Sequence, residues 1–480
     1  MTRLGIRMTV AACLLVASGP LAAQRQAVSQ ADSALVARIL MAEQRGDRGD
    51  AALTIGATHA NPRIRTVAWR AAARMADSLF AARDSMPPLP APVAWPEPDW
   101  KPRYRALTPR GTDCAVFRAA LADSAWPVRL RAADVVPTEC GSDEILVSTL
   151  RRWIDNMPAN TTRRPAGGVS WHGAAHAVVA LARLRSPDAL VQMHRAASHN
   201  DWHVRSYAVR AARILTDTSV LRRAVRDAHP NVREAAIEGL AALTGHAFDL
   251  LYIERLGDSA VQVVRAAATA LQGSDVPGAR PAADAAFQRW AKRDNASERD
   301  ARLALLAAAG RAASDAPPTA VTPALAPGAV SLALGADVRL RVTMAASNGG
   351  GTFVVRLRGD VAPIMAARVL QLADSGYYNL GTWHRVEPDF VIQGAAHGDN
   401  EYVGNARYLR DELGTIPHAR GTVGMSTRGH DSGDAQWFLN LRDNPRLNRD
   451  YTVFAEVVEG MAVVDGILEG DVITSIARVR

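Results

Sequence analysis

The chain has 480 residues, 48% of them hydrophobic and 22% charged, with a formal net charge of +8. That length exceeds one ordinary domain, and the composition can build buried cores, which excludes a mostly disordered chain. No apolar run reaches the roughly 18 residues of a membrane-spanning helix, which excludes a polytopic membrane protein.

Residues 1–23 read as a secretory signal. Arg3 and Arg7 form a basic start, Met8 to Ser18 an apolar stretch, and Pro20 breaks the helix before Leu21-Ala22-Ala23, with cleavage before Gln24. Val10-Ala11-Ala12-Cys13 also resembles a bacterial lipobox. A soluble exported protein and an anchored one therefore both stay open, and membrane attachment is expected only if Cys13 is lipidated. The expected location is the periplasm or cell envelope of a bacterium. Removing the signal leaves Cys114 and Cys140, 26 positions apart, which in an oxidising compartment form either a disulfide or two buried thiols in neighbouring helices.

From residue 24 to 313 a unit recurs: a short polar turn, then Val-Arg or Ile-Arg, then an alanine-rich amphipathic helix. It stands at Asn61 to Arg65, Trp126 to Arg129, Asp201 to Arg205, His229 to Arg233 and Gln262 to Arg265. Pro or Asx opening the unit suits a helix N-terminus. A proline-rich break at 85–100 cannot be helical, because proline removes the donor and clashes with the preceding turn. The pattern resembles HEAT-like repeats, which implies an all-α solenoid in which each repeat buries its face against its neighbours. The repeat arginines are expected to cap turns or bridge repeats, and the stack to act as a scaffold for a protein partner whose identity the sequence does not carry. His172 and His176, four apart, could share a metal ion; with no intervening Glu and no third ligand nearby, two ordinary histidines are expected.

Charge is uneven. Residues 329–480 carry 15 Arg, no Lys and 18 Asp plus Glu, a net −3, which leaves +11 for the first 328. Lys101 and Lys292 are the only lysines. Charge alone is a weak signal for nucleic acid, the export signal argues against it, and no nucleic-acid partner is expected.

A Pro/Ala-rich stretch at 314–335 reads as an extended linker. Beyond it helical spacing gives way to alternation, as in Val338-Arg339-Leu340-Arg341-Val342 and Phe353 to Arg358, the period of half-buried strands. Ala362-Pro363 opens an amphipathic helix ending at Ser375-Gly376. Then come Trp383 to Gly394 (WHRVEPDFVIQG), Gly421 to Ser426 (GTVGMS), Ala435 to Leu439 (AQWFL) and Leu447 to Met461 (LNRDYTVFAEVVEGM).

Those blocks, in that order over residues 336–480, resemble a cyclophilin-type peptidyl-prolyl cis-trans isomerase. The resemblance implies a closed eight-stranded antiparallel β-barrel with two capping helices, acting on proline-containing polypeptide clients. Rotation about an Xaa–Pro amide breaks no bond, so no nucleophile, cofactor or metal is required. A donor aimed at the prolyl nitrogen helps, and a guanidinium suits that task. By resemblance Arg385 takes this role with Phe390 and Gln393 beside it. Val391, Met425, Thr427, Gln436, Phe438, Leu447 and Tyr451 are the implied substrate-binding residues. Ser426 and Thr427 stand where the family has Ala-Asn, with Arg428 after them. Trp437 replaces a phenylalanine near the groove, and the loop from His397 to Arg407 lacks the usual glycine-rich pattern. Arg446 replaces the tryptophan of eukaryotic relatives, which implies weak cyclosporin binding. The expected function is therefore prolyl isomerisation on exported proteins, with the solenoid as scaffold. The alternative is a barrel that grips proline peptides with little turnover.

Overall fold

A computed structural model of the chain describes residues 28–76, 89–109, 113–157, 170–317, 324–345 and 349–479. The expected signal at 1–23, Cys13 included, lies outside them, as do 85–88 of the proline-rich break and 318–323 of the linker.

Every repeat motif opens a helix: Pro62–Met75, Trp126–Val135, Trp202–Ile214, Pro230–Thr244 and Val261–Ala270. Side chains of Asn61, Asp201 and His229 accept the backbone N–H two residues on, which satisfies donors the first turn leaves open. The repeat arginine then hooks back over its own turn. Arg65 Nη1 donates to the carbonyls of His59 and Ala60 (2.6 and 2.7 Å), and Arg205 Nη1 to His199 and Asn200 (2.8 and 2.9 Å). Arg233 Nη1 donates to Asp227 and Ala228 (2.8 and 3.1 Å), and Arg129 makes the same hook to Asp123 and Ser124. Arg265 instead bridges to Glu234 and Glu238 on the Pro230–Thr244 helix. His172 and His176 are held by ordinary partners, Ser170 and the Glu469 carbonyl for the first, Asp134 and the Tyr207 hydroxyl for the second.

The helical half is divided where one array over 24–313 was expected. One apolar core runs from Trp100 to Ala308. Within it a disulfide joins Cys114 to Cys140, with Cα atoms 5.6 Å apart. The helices Gln30–Arg45, Ala51–Ala57 and Pro62–Met75 are separate from that core: Val36, Ile39, Leu40, Ile64 and Val67 share the core of the C-terminal barrel. The proline-rich break explains the division, since it removes the donors that would continue the stack. Nor is 314–335 extended throughout. Ala329–Ala333 is a helix between Gln30–Arg45 and Pro363–Asp374, and it carries the early helices onto the barrel.

A buried ionic network locks that union. Arg74 donates Nη2 to Glu43 (2.9 Å) and Nη1 to the Val361 carbonyl (3.1 Å), and lies 3.9 Å from Glu412. The Glu412 carboxylate accepts the N–H groups of Ile364 and Met365 (3.0 and 2.8 Å), the open donors at the start of Pro363–Asp374. Burial, with Glu43 close by, pushes the Glu412 carboxyl up to about 8, although Arg74 and those amides pull it down.

The barrel comprises β1 Arg339–Ala345, β2 Gly351–Leu357, β3 Arg385–Val386, β4 Val391–Gly394, β5 Thr422–Met425, β6 Trp437–Asn440, β7 Val453–Glu459 and β8 Val472–Arg478. All pairs are antiparallel, in the order β3-β4-β6-β5-β7-β2-β1-β8. Residues just before β3 bond back to β8 (Ile473 N to Gly381 O, 2.8 Å; Trp383 N to Asp471 O, 3.1 Å), which closes the sheet. Helices Pro363–Asp374 and Met461–Asp465 pack on it. Trp437 is fully buried in the barrel, edge-on to Trp383, Tyr378 and Phe454, so it does not border the groove as expected.

The proline-rich segment straps the barrel on one side. Val93 N donates to Glu456 (2.9 Å) and Trp95 Nε1 to the Val457 carbonyl (3.0 Å). Gly421, at φ +89°, leaves room for the Trp95 ring. On the other side the array holds the barrel loops. Asn231 donates to the carbonyls of Gly398 and Asp399 (3.1 and 2.9 Å), Arg407 pairs with Asp294, and Arg428 binds Asp300 and the Ser297 carbonyl.

Replacing Arg74 by Met leaves Glu43 buried without its cation. The expected loss is roughly 3–5 kcal/mol, read as a lower urea midpoint; a loss below about 1 kcal/mol would mean the network does not hold the early helices to the barrel.

Candidate active site

Antiparallel register builds the site. Arg385 on β3 lies opposite Gln393 on β4, Gln393 opposite Phe438 on β6, and Phe438 opposite Gly424 on β5. Directly opposed residues share a face, so Arg385, Gln393 and Phe438 form one row across the outside of the sheet, with Val391 two residues along. The alternate residues, Ile392, Leu439, Trp437 and Met425, point into the barrel core.

Beside the row, Val391, Phe438 and Leu447 make a small apolar cluster apart from the main core, with Phe390 and Tyr451 packed on it. They line a pocket of about 140 Å³ together with Arg385, Gln393, Glu401, Ser426 and Thr427. The Phe438 ring is fixed from three sides. Tyr451 meets it edge-on (5.6 Å, 90°), the His418 imidazole stacks behind it (5.6 Å, 22°), and Gly424 lies beneath. His418 is itself held by the Tyr451 carbonyl (3.1 Å) and Asn440 (3.2 Å), and burial lowers its pKa.

Arg385 is held loosely. Nη1 donates to Gln393 Oε1 at 3.4 Å, and Gln393 Nε2 donates to Ser426 Oγ at 2.8 Å. Its pairing with Glu387 is 3.8 Å long with both side chains about half exposed (48% and 52%), a contact worth ~1 kcal/mol or less. Asp389 is taken by Arg105 and Arg442. Nothing structural therefore occupies the guanidinium fully, and it overhangs the pocket. Arg446 lies over the Phe390 ring at 4.1 Å.

Eight of the ten expected site residues thus surround one pocket: Arg385, Phe390, Gln393, Val391, Thr427, Phe438, Leu447 and Tyr451. Two do not. Met425 is fully buried in the barrel core, because it faces Trp437 across the ladder, on the opposite face from Phe438. Gln436 donates Nε2 to the carbonyls of Asn400 and Val403 (2.9 and 2.8 Å) and so holds the neighbouring loop. Glu401, His418 and Gly424 were missed. Gly424 had a readable signal, a glycine inside a strand, which marks a close approach. Among the described residues no group of three or more His, Cys, Asp or Glu could hold a metal ion.

Next to Arg385, both ring nitrogens of His384 are buried without a partner among the described residues, and burial lowers its pKa to about 4.

The model of the cyclophilin type peptidyl-prolyl cis-trans isomerase/CLD family matches residues 341–478. A Helicobacter pylori protein named peptidyl-prolyl cis-trans isomerase is 34% identical over 130 residues, covering 26% of this chain and 80% of that protein. A Brucella suis protein named probable peptidyl-prolyl cis-trans isomerase is 35% identical over 163 residues, covering 31% and 81%. A solved Cryptosporidium parvum cyclophilin type isomerase is similar to 30% of this chain over 99% of its own, at 21% identity and a TM-score of 0.28.

A Cβ at Gly424 would run into the Phe438 ring. Gly424→Ala should raise KM for a proline peptide about tenfold or more while lowering the thermal midpoint by only a few degrees; an unchanged KM would show that the ring does not shape the pocket. Acid sensitivity follows from the histidines. Burial lowers both His384 and His229 to about 4, whereas in the unfolded chain they titrate near 6.5. Between those values the unfolded chain binds more protons, so their contribution to stability is complete above pH ~6.5 and drains away as pH falls to about 4. Urea midpoints should drop between pH 7 and pH 5, and drop less in His384→Asn; parallel pH profiles would contradict this.

Proposed function

The chain belongs to the cyclophilin-type peptidyl-prolyl cis-trans isomerase family, and on that premise we propose that its groove turns Xaa–Pro bonds of exported proteins, with Arg385 as the group that stabilises the twisted amide. The observation that carries this reading is an incompletely occupied guanidinium beside a small apolar pocket, on a rigid sheet.

The chemistry follows from the amide. Conjugation holds the C–N bond planar behind a barrier of ~18–20 kcal/mol. As the bond twists, the prolyl nitrogen loses conjugation and regains its lone pair, which can accept a hydrogen bond. A proline ring seated among Val391, Phe438 and Leu447 fixes one side of the bond. Arg385 donates to the nitrogen from outside, and Gln393, already bonded to Arg385 and Ser426, orients that guanidinium. No proton changes hands, and the guanidinium serves as a planar fork of donors. Arg385 therefore acts by preorganised electrostatics, strongest on the twisted state.

Export is supported by the character of residues 1–23 and by the Cys114–Cys140 disulfide, a bond typical of oxidising compartments. The HEAT-like array supports a scaffold role through its contacts with its own barrel. An outside protein partner would use apolar residues left exposed on it, among them Ile145, Leu190, Val191 and Leu250. One observation favours the alternative of a binding module with low turnover. The Gln393 amide already bonds Arg385 through Oε1 and Ser426 through Nε2, which leaves a peptide one of its two acceptor positions and one of its two N–H groups.

Relaxation of a cis-enriched Xaa–Pro peptide by the mature protein separates the two. An isomerase accelerates relaxation well beyond the uncatalysed rate, and Arg385→Ala removes about 100-fold or more of kcat/KM. Peptide binding without acceleration would leave the barrel a recognition module.

A further inference from the structure

Between the helical array and the barrel lies a cavity of about 670 Å³, several times the proline pocket and within the range of ligand-binding clefts. The barrel supplies one wall through His384, Arg385, Glu387 and Glu469. The array supplies the other, and with it four arginines, Arg131, Arg183, Arg210 and Arg213.

Among the described residues none of those arginines pairs with a carboxylate closer than 4.0 Å. Elsewhere in the array guanidiniums meet carboxylates closely, as Arg151 meets Asp188, Arg205 meets Asp227 and Arg233 meets Asp258. In the cavity, Arg183 donates to the backbone carbonyls of Ala133 and Asp134. Arg131 lies over the Tyr104 ring and donates to the Leu107 carbonyl. Arg210 lies over Tyr207 and reaches Glu469 only at 4.0 Å, and the Arg213 side chain has no hydrogen-bond or ion-pair partner among the described residues. Against the five guanidiniums that line the cavity, Arg385 included, stand three carboxylates, Asp134, Glu387 and Glu469. The surplus is positive. His384 adds the unpartnered buried ring described above.

Arg385 lines both this cavity and the proline pocket, so the two lie side by side at that side chain. A polypeptide with its proline seated among Val391, Phe438 and Leu447 therefore has one flank beside the array. We propose that the cavity receives the client segment next to the Xaa–Pro bond and selects acidic side chains there. The proposal rests on the groove being the prolyl site, and it adds the substrate class.

The test uses the full mature chain and two series of labelled peptides, each with one Xaa–Pro bond. In one series Glu or Gln stands a few residues before the proline, in the other a few residues after it. Fluorescence anisotropy reads binding, and cis-to-trans relaxation is followed in parallel. In one series the Glu peptide should bind about fivefold tighter than its Gln twin at low salt, with the ratio shrinking as salt rises. The ratio should fall toward one in Arg213→Glu and in Arg210→Gln. Reading it within each variant removes any general loss of folding or binding. Equal affinities for Glu and Gln in both series overturn the proposal, whether or not the peptides are isomerised. A preference that survives both arginine variants overturns it too, because the acid is then read elsewhere. A Glu preference that depends on the arginines, without accelerated relaxation, leaves the cavity standing and sinks the isomerase reading alone.

Discussion

Strand register across β3, β4, β6 and β5 constrains everything else in the site. Side chains on a strand alternate with period two, so a single pairing decides which residues are solvent-facing and which are core. Setting Arg385 opposite Gln393 and Gln393 opposite Phe438 puts a donor, its orienting amide and an aromatic ring in one line. The same pairing drives Ile392, Leu439 and Trp437 inward, where the tryptophan packs against Trp383 and Phe454. Slipping one residue would bury the guanidinium and expose the core, so the rigidity of the barrel and the position of Arg385 are one property. Gly424 completes the row by having no side chain, which lets the Phe438 ring lie flat over β5.

Around that row the chain uses arginine in three distinct ways. In the repeats one guanidinium nitrogen hooks two turn carbonyls, and the rest of the fork reaches a carboxylate beyond, as Arg205 reaches Asp227 and Arg233 reaches Asp258. At the junction Arg74 satisfies Glu43 while Glu412 holds the start of the Pro363–Asp374 helix, so an ionic network and a helix N-terminus stabilise one another. In the cavity the arginines lean on rings and backbone carbonyls and keep their charge available.

Much of the barrel was legible because its signals are local and dense. Alternating runs mark β1 and β2, and the block from Trp383 to Gly394 carries Arg385, Phe390, Val391 and Gln393 within twelve residues of sequence. Met425 and Gln436 were assigned to the groove because neighbours in sequence share a motif. Parity separates Met425 from the pocket, and Gln436 precedes the first residue of β6, where its amide meets the loop carbonyls of Asn400 and Val403. The repeat motifs placed five helices but not the break between the early helices and the array. An amphipathic helix reports that it buries a face, not which core that face joins. The array–barrel contacts were illegible for a related reason. Asn231 with Gly398, Arg428 with Asp300 and His172 with Glu469 are ordinary polar residues far apart in sequence, and no local pattern foretells their meeting.

A tether and a wall make different demands on such contacts. A scaffold on a flexible linker helps through effective concentration, which depends on linker length and is indifferent to the array residues that face the barrel. Here the linker region includes a packed helix, the proline-rich segment is bonded to β7, and the array donates hydrogen bonds to loops beside the groove. An array fixed in this way cannot sweep solution for clients. What it changes is the shape and charge of the space next to Arg385, where its own arginines supply surface that the barrel lacks. The helical half therefore belongs to the groove as a second wall, and its influence is on which polypeptide fits rather than on how often one arrives.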